Sequence, residues 1–136
     1  MRLLLDSSVW LAWMRADDEP NHEAATAIVA RSYTREVELR LLDLTLYELG
    51  NVIVRAWQRP SEVADGFVSH VTTVVEAPPL VPTAAERRVA HQLAERHRLS
   101  VYDATYAAVA KERRLTLISG DNALLTAGLA AAPGDI

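Results

Sequence analysis

Short continuous apolar runs and longer stretches of helical spacing take turns along the chain. The apolar runs predict strands at residues 3–5, 39–44, 71–77 and 115–118, and residues 129–136 supply at most a fragment of a fifth. Apolar residues at helical spacing predict helices at residues 9–14, 22–35, 45–59, 61–70, 83–98, 100–114 and 121–128. The first helix is expected to stop near Asp17, where an acidic stretch runs into Pro20.

This alternation of strands and helices predicts βαβ units. They build a mostly parallel sheet with helices on both faces, a three-layer, Rossmann-like α/β fold. No internal repeat and no linker divides residues 1–136, so we predict a single domain. In such sheets, ligands bind beyond the carboxyl ends of the strands. The side chains at strand ends and helix starts are therefore the first candidates for function.

Four carboxylates fall at such positions: Asp6, Glu48, Asp103 and Asp121. Each has a structural interpretation, because Asp6 and Asp121 can be helix N-caps. The other two match the capping-box pattern, with Thr or Ser three positions earlier. If all four converge on one sheet edge instead, a cation must offset their repulsion. An all-oxygen cluster suits Mg²⁺ or Mn²⁺.

The composition first argues against a nucleic-acid partner, because 14 Lys and Arg against 18 Asp and Glu give a net charge of −4. Without the four carboxylates, 14 acids face 14 basic residues, so the excess acidity belongs to the predicted site. Cysteine is absent, which excludes disulfides and thiol nucleophiles and favours a reducing compartment. No apolar run suits a signal peptide or a membrane span, so we expect a cytoplasmic protein without membrane contact.

Other catalytic motifs find no match. The sequence has no P-loop pattern, no dinucleotide-binding glycine fingerprint and no nucleophile elbow. Its four histidines show no spacing typical of paired metal ligands, so we interpret them as ordinary surface or core residues.

Four segments resemble the motifs of PIN domains: LLDSSVWL (residues 4–11), LTLYELGNV (44–52), LSVYDATYAAVA (99–110) and LTLISGDNALL (115–125). They follow the order of that family and span nearly the whole chain, so the expected fold is PIN-like. In size, the chain is similar to the small VapC-type toxins. The resemblance implies a Mg²⁺-dependent or Mn²⁺-dependent endoribonuclease. It carries over as metal-binding and catalytic residues Asp6, Glu48, Asp103 and Asp121, and as supporting hydroxyls Ser7 and Ser119.

The mechanism implied is hydrolysis of an RNA phosphodiester by water whose pKa the metal lowers. The same resemblance implies a VapB-type antitoxin as inhibitor and a homodimer. Candidate RNA contacts are Arg15, Arg55 and Arg59, which otherwise form solvated helix faces. Candidate antitoxin contacts are Trp10, Trp13 and Met14, which otherwise belong to the core.

Two alternatives keep the same fold. One is a non-catalytic module that binds RNA or a protein, and metal binding would distinguish it from the enzyme. The other is a DNA-directed or structure-specific nuclease, which usually carries extra helical arches or domains. A chain of 136 residues leaves little room for them.

Overall fold

A computed structural model describes residues 1–16 and 19–136. Its strands are β1 (Arg2–Leu5), β2 (Glu38–Arg40) and β3 (Thr116–Ile118). Its helices are α1 (Ser7–Met14), α2 (His22–Tyr33), α3 (Asp43–Asn51), α4 (Ser61–Val75), α5 (Ala84–His97), α6 (Val101–Glu112) and α7 (Asn122–Thr126). A π-helical turn, Val52–Ala56, extends α3, and a 3₁₀ turn, Pro133–Asp135, lies at the C-terminus. The predicted end of the first helix near Asp17 lies outside the described residues.

The sheet is parallel, with β1 between β2 and β3. Strand β1 is buried on both faces because its side chains alternate between two apolar clusters. Leu3 and Leu5 point into a cluster with residues of α1, α2 and α4, whereas Leu4 points into a cluster with residues of α5 and α6. The predicted three-layer α/β fold is confirmed, and β1 carries Asp6 to the carboxyl edge of the sheet.

The strand predicted at residues 71–77 is wrong, because this segment continues α4. Val71, Val74 and Val75 lie on one helical face and are buried in the cluster of α1 and α2. Thr72 and Thr73 donate hydrogen bonds to carbonyls one turn earlier, at 2.8 and 2.9 Å. Helix packing thus outweighs the β-propensity of this β-branched run. Among the described residues, no helix has the length and hydrophobicity needed to cross a membrane.

Two further strand predictions are too long. Of the segment predicted at 39–44, only Leu39 and Arg40 pair with β1, because the chain enters α3 at Asp43; the strand itself begins one residue earlier, at Glu38. Beyond β2, Leu42 forms a single parallel bridge with Leu80. Residues 129–136 likewise contribute one parallel bridge, between Ile118 and Ala131, in place of a strand.

Several helix ends turn through a backbone conformation that usually selects glycine. The non-glycine residues with positive φ in the described ranges follow or close helical segments: Arg35, Gln58, Glu76, Arg98 and Arg114. Their φ angles lie between 52° and 66°. A side chain with a Cβ meets a steric penalty in this region, which glycine avoids.

Candidate functional site

Asp6 lies at the carboxyl end of β1, where its side chain is almost fully buried. It caps α1 by accepting a hydrogen bond from the Val9 amide at 3.3 Å, so the structural interpretation of this residue is correct. Two hydroxyls also donate to its carboxylate at 2.5 Å, Ser8 to Oδ1 and Ser119 to Oδ2. The two oxygens are therefore fixed in position by hydroxyls from two separate segments.

The turn between β3 and α7 is attached to Asp6 through the same hydroxyls. The Gly120 amide donates to Ser8 Oγ and the Asp121 amide donates to Ser119 Oγ, both at 2.9 Å. A Cβ at Gly120 would lie 2.8 Å from Nδ2 of Asn21, so glycine leaves room for that amide. The start of α2 is thereby brought against the turn that carries Asp121.

Glu48 lies inside α3, and its capping interpretation is wrong. Helix α3 begins at Asp43, so Thr45 is its third residue and makes no cap. The Glu48 carboxylate instead accepts a hydrogen bond from the Tyr106 hydroxyl of α6 at 2.6 Å. Thr45 lies 2.6 Å from the same hydroxyl. These contacts hold α3 against α6 and place Glu48 beside the helix that carries Asp103.

Asp103 and Asp121 both lie at helix starts. Ser100 caps α6 by accepting from the Asp103 amide at 3.0 Å. Asp121 caps α7 by accepting from the Ala123 and Leu124 amides at 2.7 and 3.4 Å. Capping and proximity to the other acids are therefore compatible, and both interpretations of Asp121 can hold at once.

The carboxylates share one electrostatic environment, with Asp103 at its centre. Burial, with a smaller contribution from the Asp103 charge, raises the pKa of Asp6 to about 6, although hydrogen bonds to the carboxylate act in the opposite direction. Burial also raises the pKa of Glu48, and the Asp103 charge adds to that effect. The pKa of Asp103 is raised by burial and by the Asp121 charge. Each of the four acids is therefore close enough to another for their charges to interact.

The donor chemistry of this cluster fits a hard divalent cation. The described residues contain ion pairs between Arg and Glu elsewhere, and none of them includes a member of the cluster. Uncompensated carboxylates that raise one another's pKa form a site that a cation would stabilise. Within the described ranges, however, no three His, Asp or Glu side chains stand close enough together to hold an ion as they are. Binding would require the cluster to tighten.

The two predicted supporting hydroxyls serve different acids. Ser119 is fully buried and contacts Asp6, as described. Ser7 lies close enough to Glu48 to lower the pKa of that carboxyl. The donor to Asp6 on α1 is Ser8, which sequence reasoning missed.

Tyr106 and Asn21 were also not among the predicted site residues. Tyr106 lies three residues after Asp103 in α6, which places both on neighbouring positions of one helix face, yet nothing local indicates its contact with Glu48. For Asn21, the available signal is Gly120, whose missing side chain marks a close approach.

The predicted RNA and antitoxin contacts meet in a groove at the far end of α1. The groove has a volume of about 640 Å³, and it is lined by Met14, Arg15, Ala16, Trp57, Arg59, Val63 and Phe67. Arg15 stacks over Trp57, 5.0 Å from the ring centroid. Eight residues of helix separate Asp6 from Met14, so the groove lies roughly 12 Å along the helix axis from the acidic cluster.

The remaining predicted contacts lie outside this groove. Arg55 is exposed in the π-helical turn. Trp10 is fully buried and meets Trp13 edge-on, with ring centroids 5.6 Å apart. Trp13 is half-buried and packs against His70 at 5.0 Å. Of the two tryptophans on α1, only Trp13 offers surface to a partner.

Comparisons with known proteins agree with this architecture. A search of curated proteins finds no significant match. The crystal structure of PAE2754 from Pyrobaculum aerophilum is similar, with a TM-score of 0.68 and 23% identity over 99% of this chain and 94% of that one. VapC20 of Mycobacterium tuberculosis, described as a sarcin-ricin loop cleaving toxin, gives a TM-score of 0.69 and 20% identity over 93% and 95%.

FitAcB from Neisseria gonorrhoeae is similar over 98% of this chain and 99% of that one, with a TM-score of 0.67 and 22% identity. These likenesses establish the fold. The model of the PIN domain family matches residues 3–128, which include all four carboxylates and both sheet edges. The chain therefore belongs to the PIN domain family.

Proposed function

We propose that this protein is a metal-dependent endoribonuclease of the VapC toxin type, which hydrolyses RNA phosphodiester bonds and is inhibited by a VapB-type antitoxin. The family and the fold of the VapC20 toxin support the general class. The observation that carries the proposal is the cluster itself. Four carboxylates from separate segments lie within electrostatic reach of one another, without an Arg or Lys partner among the described residues.

Asp6, Glu48, Asp103 and Asp121 would hold Mg²⁺ or Mn²⁺. When bound, such a cation supplies the positive charge that activates water and stabilises a phosphoryl transition state. Asp6 contributes a carboxylate whose orientation Ser8 and Ser119 fix. Although burial raises its pKa to about 6, Asp6 is still mostly ionised at neutral pH and available as an oxygen ligand.

The decisive experiment is conditional expression followed by mapping of new RNA 5′ ends, with wild type beside Asp103→Asn. We expect discrete new 5′ ends in the wild type and at least roughly a 100-fold loss in the variant, because even supporting contacts of metal ligands cost 10- to 100-fold. Asp65→Asn is the matched control, since Asp65 is exposed on α4. Equal cleavage by Asp103→Asn would refute the assignment.

Metal binding separates the enzyme from the non-catalytic alternative. A calorimetric titration of the wild type should show Mn²⁺ or Mg²⁺ binding that weakens in Asp103→Asn. A folded wild type that binds neither cation would favour a PIN-like module that only binds RNA or a protein.

We also propose that the groove of α1 and the π-helical turn takes part in partner binding. Its apolar floor of Met14, Trp57 and Phe67 suits an apolar antitoxin segment, and Arg15 and Arg59 suit acidic side chains or RNA phosphates. Trp57 and Trp13 emission should change when the cognate antitoxin is added. Unchanged emission on formation of a stable complex would remove this groove from the proposal.

A homodimer remains part of the proposal. Exposed apolar side chains on α3 and α6, Tyr47, Val101 and Tyr102, offer surface for self-association. Light scattering at micromolar concentration measures the mass of the folded protein. A monomeric mass would contradict the homodimer.

A further inference from the structure

A short hydrogen-bonded chain crosses from α3 to α6 beside the acidic cluster. Thr45 Oγ1 lies 2.6 Å from the Tyr106 hydroxyl, and that hydroxyl lies 2.6 Å from Oε1 of Glu48. Thr45 and Tyr106 are essentially inaccessible to solvent, at 0% and 1% exposure. Contacts across 61 and 58 sequence positions therefore meet at one buried oxygen.

The direction of the two bonds follows from counting protons. An ionised carboxylate only accepts hydrogen bonds, so Tyr106 must donate its single proton to Glu48. Tyr106 then has no proton left for Thr45, and Thr45 must donate to the Tyr106 oxygen. Burial and the Glu48 charge hold the pKa of Tyr106 well above its ordinary value, so the phenol keeps the proton that it donates.

We infer that Thr45 and Tyr106 are positioning residues, which fix the Glu48 side chain in one orientation for a divalent cation. The inference rests on the proposed function and names residues that the four-acid cluster does not include. A glutamate has three rotatable bonds, and an unsupported one must lose that freedom when an ion binds. Tyr106 has already restricted it, and Thr45 in turn orients Tyr106. Glu48 would therefore lose less side-chain freedom than an unsupported glutamate when the cluster tightens around an ion.

A purely structural role would have a different consequence. If the hydrogen bonds from Thr45 to Tyr106 and from Tyr106 to Glu48 only held α3 against α6, their loss would lower the melting temperature. It would leave the folded protein's affinity for metal unchanged. Metal affinity measured on folded protein, without RNA, therefore separates positioning from fastening.

The test is a Mn²⁺ titration of the whole protein, with free Mn²⁺ counted by electron paramagnetic resonance. Tyr106→Phe keeps the ring and removes the donor, and we expect roughly 10-fold weaker binding. Thr45→Val should weaken binding less, and Thr45→Ser, which keeps the hydroxyl, should restore wild-type affinity. With an RNA oligonucleotide, kcat should fall in Tyr106→Phe while KM changes less than about two-fold.

Tyr33→Phe serves as the matched control, since Tyr33 is exposed on α2 and should bind Mn²⁺ as the wild type does. If Tyr106→Phe fails to fold by circular dichroism, the comparison of Thr45→Val with Thr45→Ser decides. Wild-type affinity and kcat in Tyr106→Phe, or in Thr45→Val where only that variant folds, would overturn this inference and leave the proposed function intact. A wild type that binds no Mn²⁺ would overturn both.

Discussion

The Ser119 hydroxyl donates to Oδ2 of Asp6 over 2.5 Å, although 113 sequence positions separate the two residues. Both side chains are buried, and the same hydroxyl accepts from the Asp121 amide. One oxygen atom therefore connects the end of β1 to the start of α7.

Ser119→Ala should lower the free energy of unfolding by about 1.5–3 kcal/mol, the usual cost of a lost hydrogen bond to a charged group. Urea unfolding at pH 7 in the presence of chelator measures this. Ser69→Ala on the exposed face of α4 should stay within about 0.5 kcal/mol of wild type. A loss no larger than that control would mean that the Ser119 contact contributes little to the fold.

The raised pKa of Asp6 predicts how the stability of the metal-free protein depends on pH. Its pKa is about 6 when folded and near 3.8 when unfolded, so the folded state binds the proton more tightly. Stability from this group is therefore greatest below pH 4 and falls as pH rises through about 6. The total change is about 3 kcal/mol, because each tenfold difference in proton affinity between the two states corresponds to about 1.4 kcal/mol.

Asp6→Asn removes this titration and leaves the other groups in place. The variant's free energy of unfolding, minus that of wild type, should increase between pH 4 and pH 7. Chemical unfolding at several pH values with chelator present gives both curves. Parallel curves would show that Asp6 titrates near its ordinary pKa.

Asp103→Asn should stabilise the metal-free protein while it abolishes activity. The Asp103 charge raises the pKa of both Asp6 and Glu48, and Asp121 raises that of Asp103, so removing it relieves repulsion. Because Asp103 is only half-buried, solvent screening limits the gain to about 1 kcal/mol or less. The melting temperature without metal should rise, and saturating Mg²⁺ should raise it further in the wild type than in the variant. A variant that melts below wild type without metal would contradict this picture of repulsion.

Gly120→Ala should bring its new Cβ too close to the side chain of Asn21, which would have to move. The new Cβ would lie 2.8 Å from Nδ2 of Asn21, and because that atom is the end of a side chain that can turn away, we expect a cost of about 1 kcal/mol, the low end for overpacking. In Asn21→Ala the amide is gone, so adding Gly120→Ala should cost much less. A double-mutant cycle by urea unfolding measures this coupling, and additive effects would show that the two residues do not press on each other.

Replacing the arginines in and near the groove should change the salt dependence of RNA binding. If Arg15, Arg55 and Arg59 contact RNA phosphates, their joint replacement by Ala should reduce the slope of log K against log salt by roughly 2, at about 0.7 per single-strand contact. Filter binding at several salt concentrations measures the slope. A charge-matched control replaces Arg35, Arg87 and Arg88, which are exposed elsewhere. Equal slopes in the two variants would assign the first set to a solvated surface.

The sequence predicted the fold class and the proximity of the four acids, because both follow from the alternation of strands and helices. Asp6 follows β1 directly and Asp121 follows β3 after two residues, and a parallel sheet brings such positions to one edge. It failed at residues 71–77, where β-branched side chains suggested a strand. The valines at helical spacing there pack into the core, and only the tertiary contacts could reveal that.

The contacts that hold the acids in place were beyond sequence reasoning for a different reason. The bond from Tyr106 to Glu48 joins two helices that lie far apart along the chain, and no local pattern requires it. The pattern from Thr45 to Glu48 even pointed to a helix cap. The helix in fact starts at Asp43, directly after the residue that forms a bridge with Leu80, a contact that is distant in sequence.

The residues with positive φ at the helix ends are positions where substitution could make the protein more stable without changing the acidic cluster. Glycine at Arg35, Arg98 or Arg114 would relieve steric cost at positions that belong neither to the acidic cluster nor to the groove. A background carrying such changes would tolerate substitutions that weaken the fold, as proteins with a stability margin do. The buried residues of the site could then be replaced one at a time in a chain that still folds.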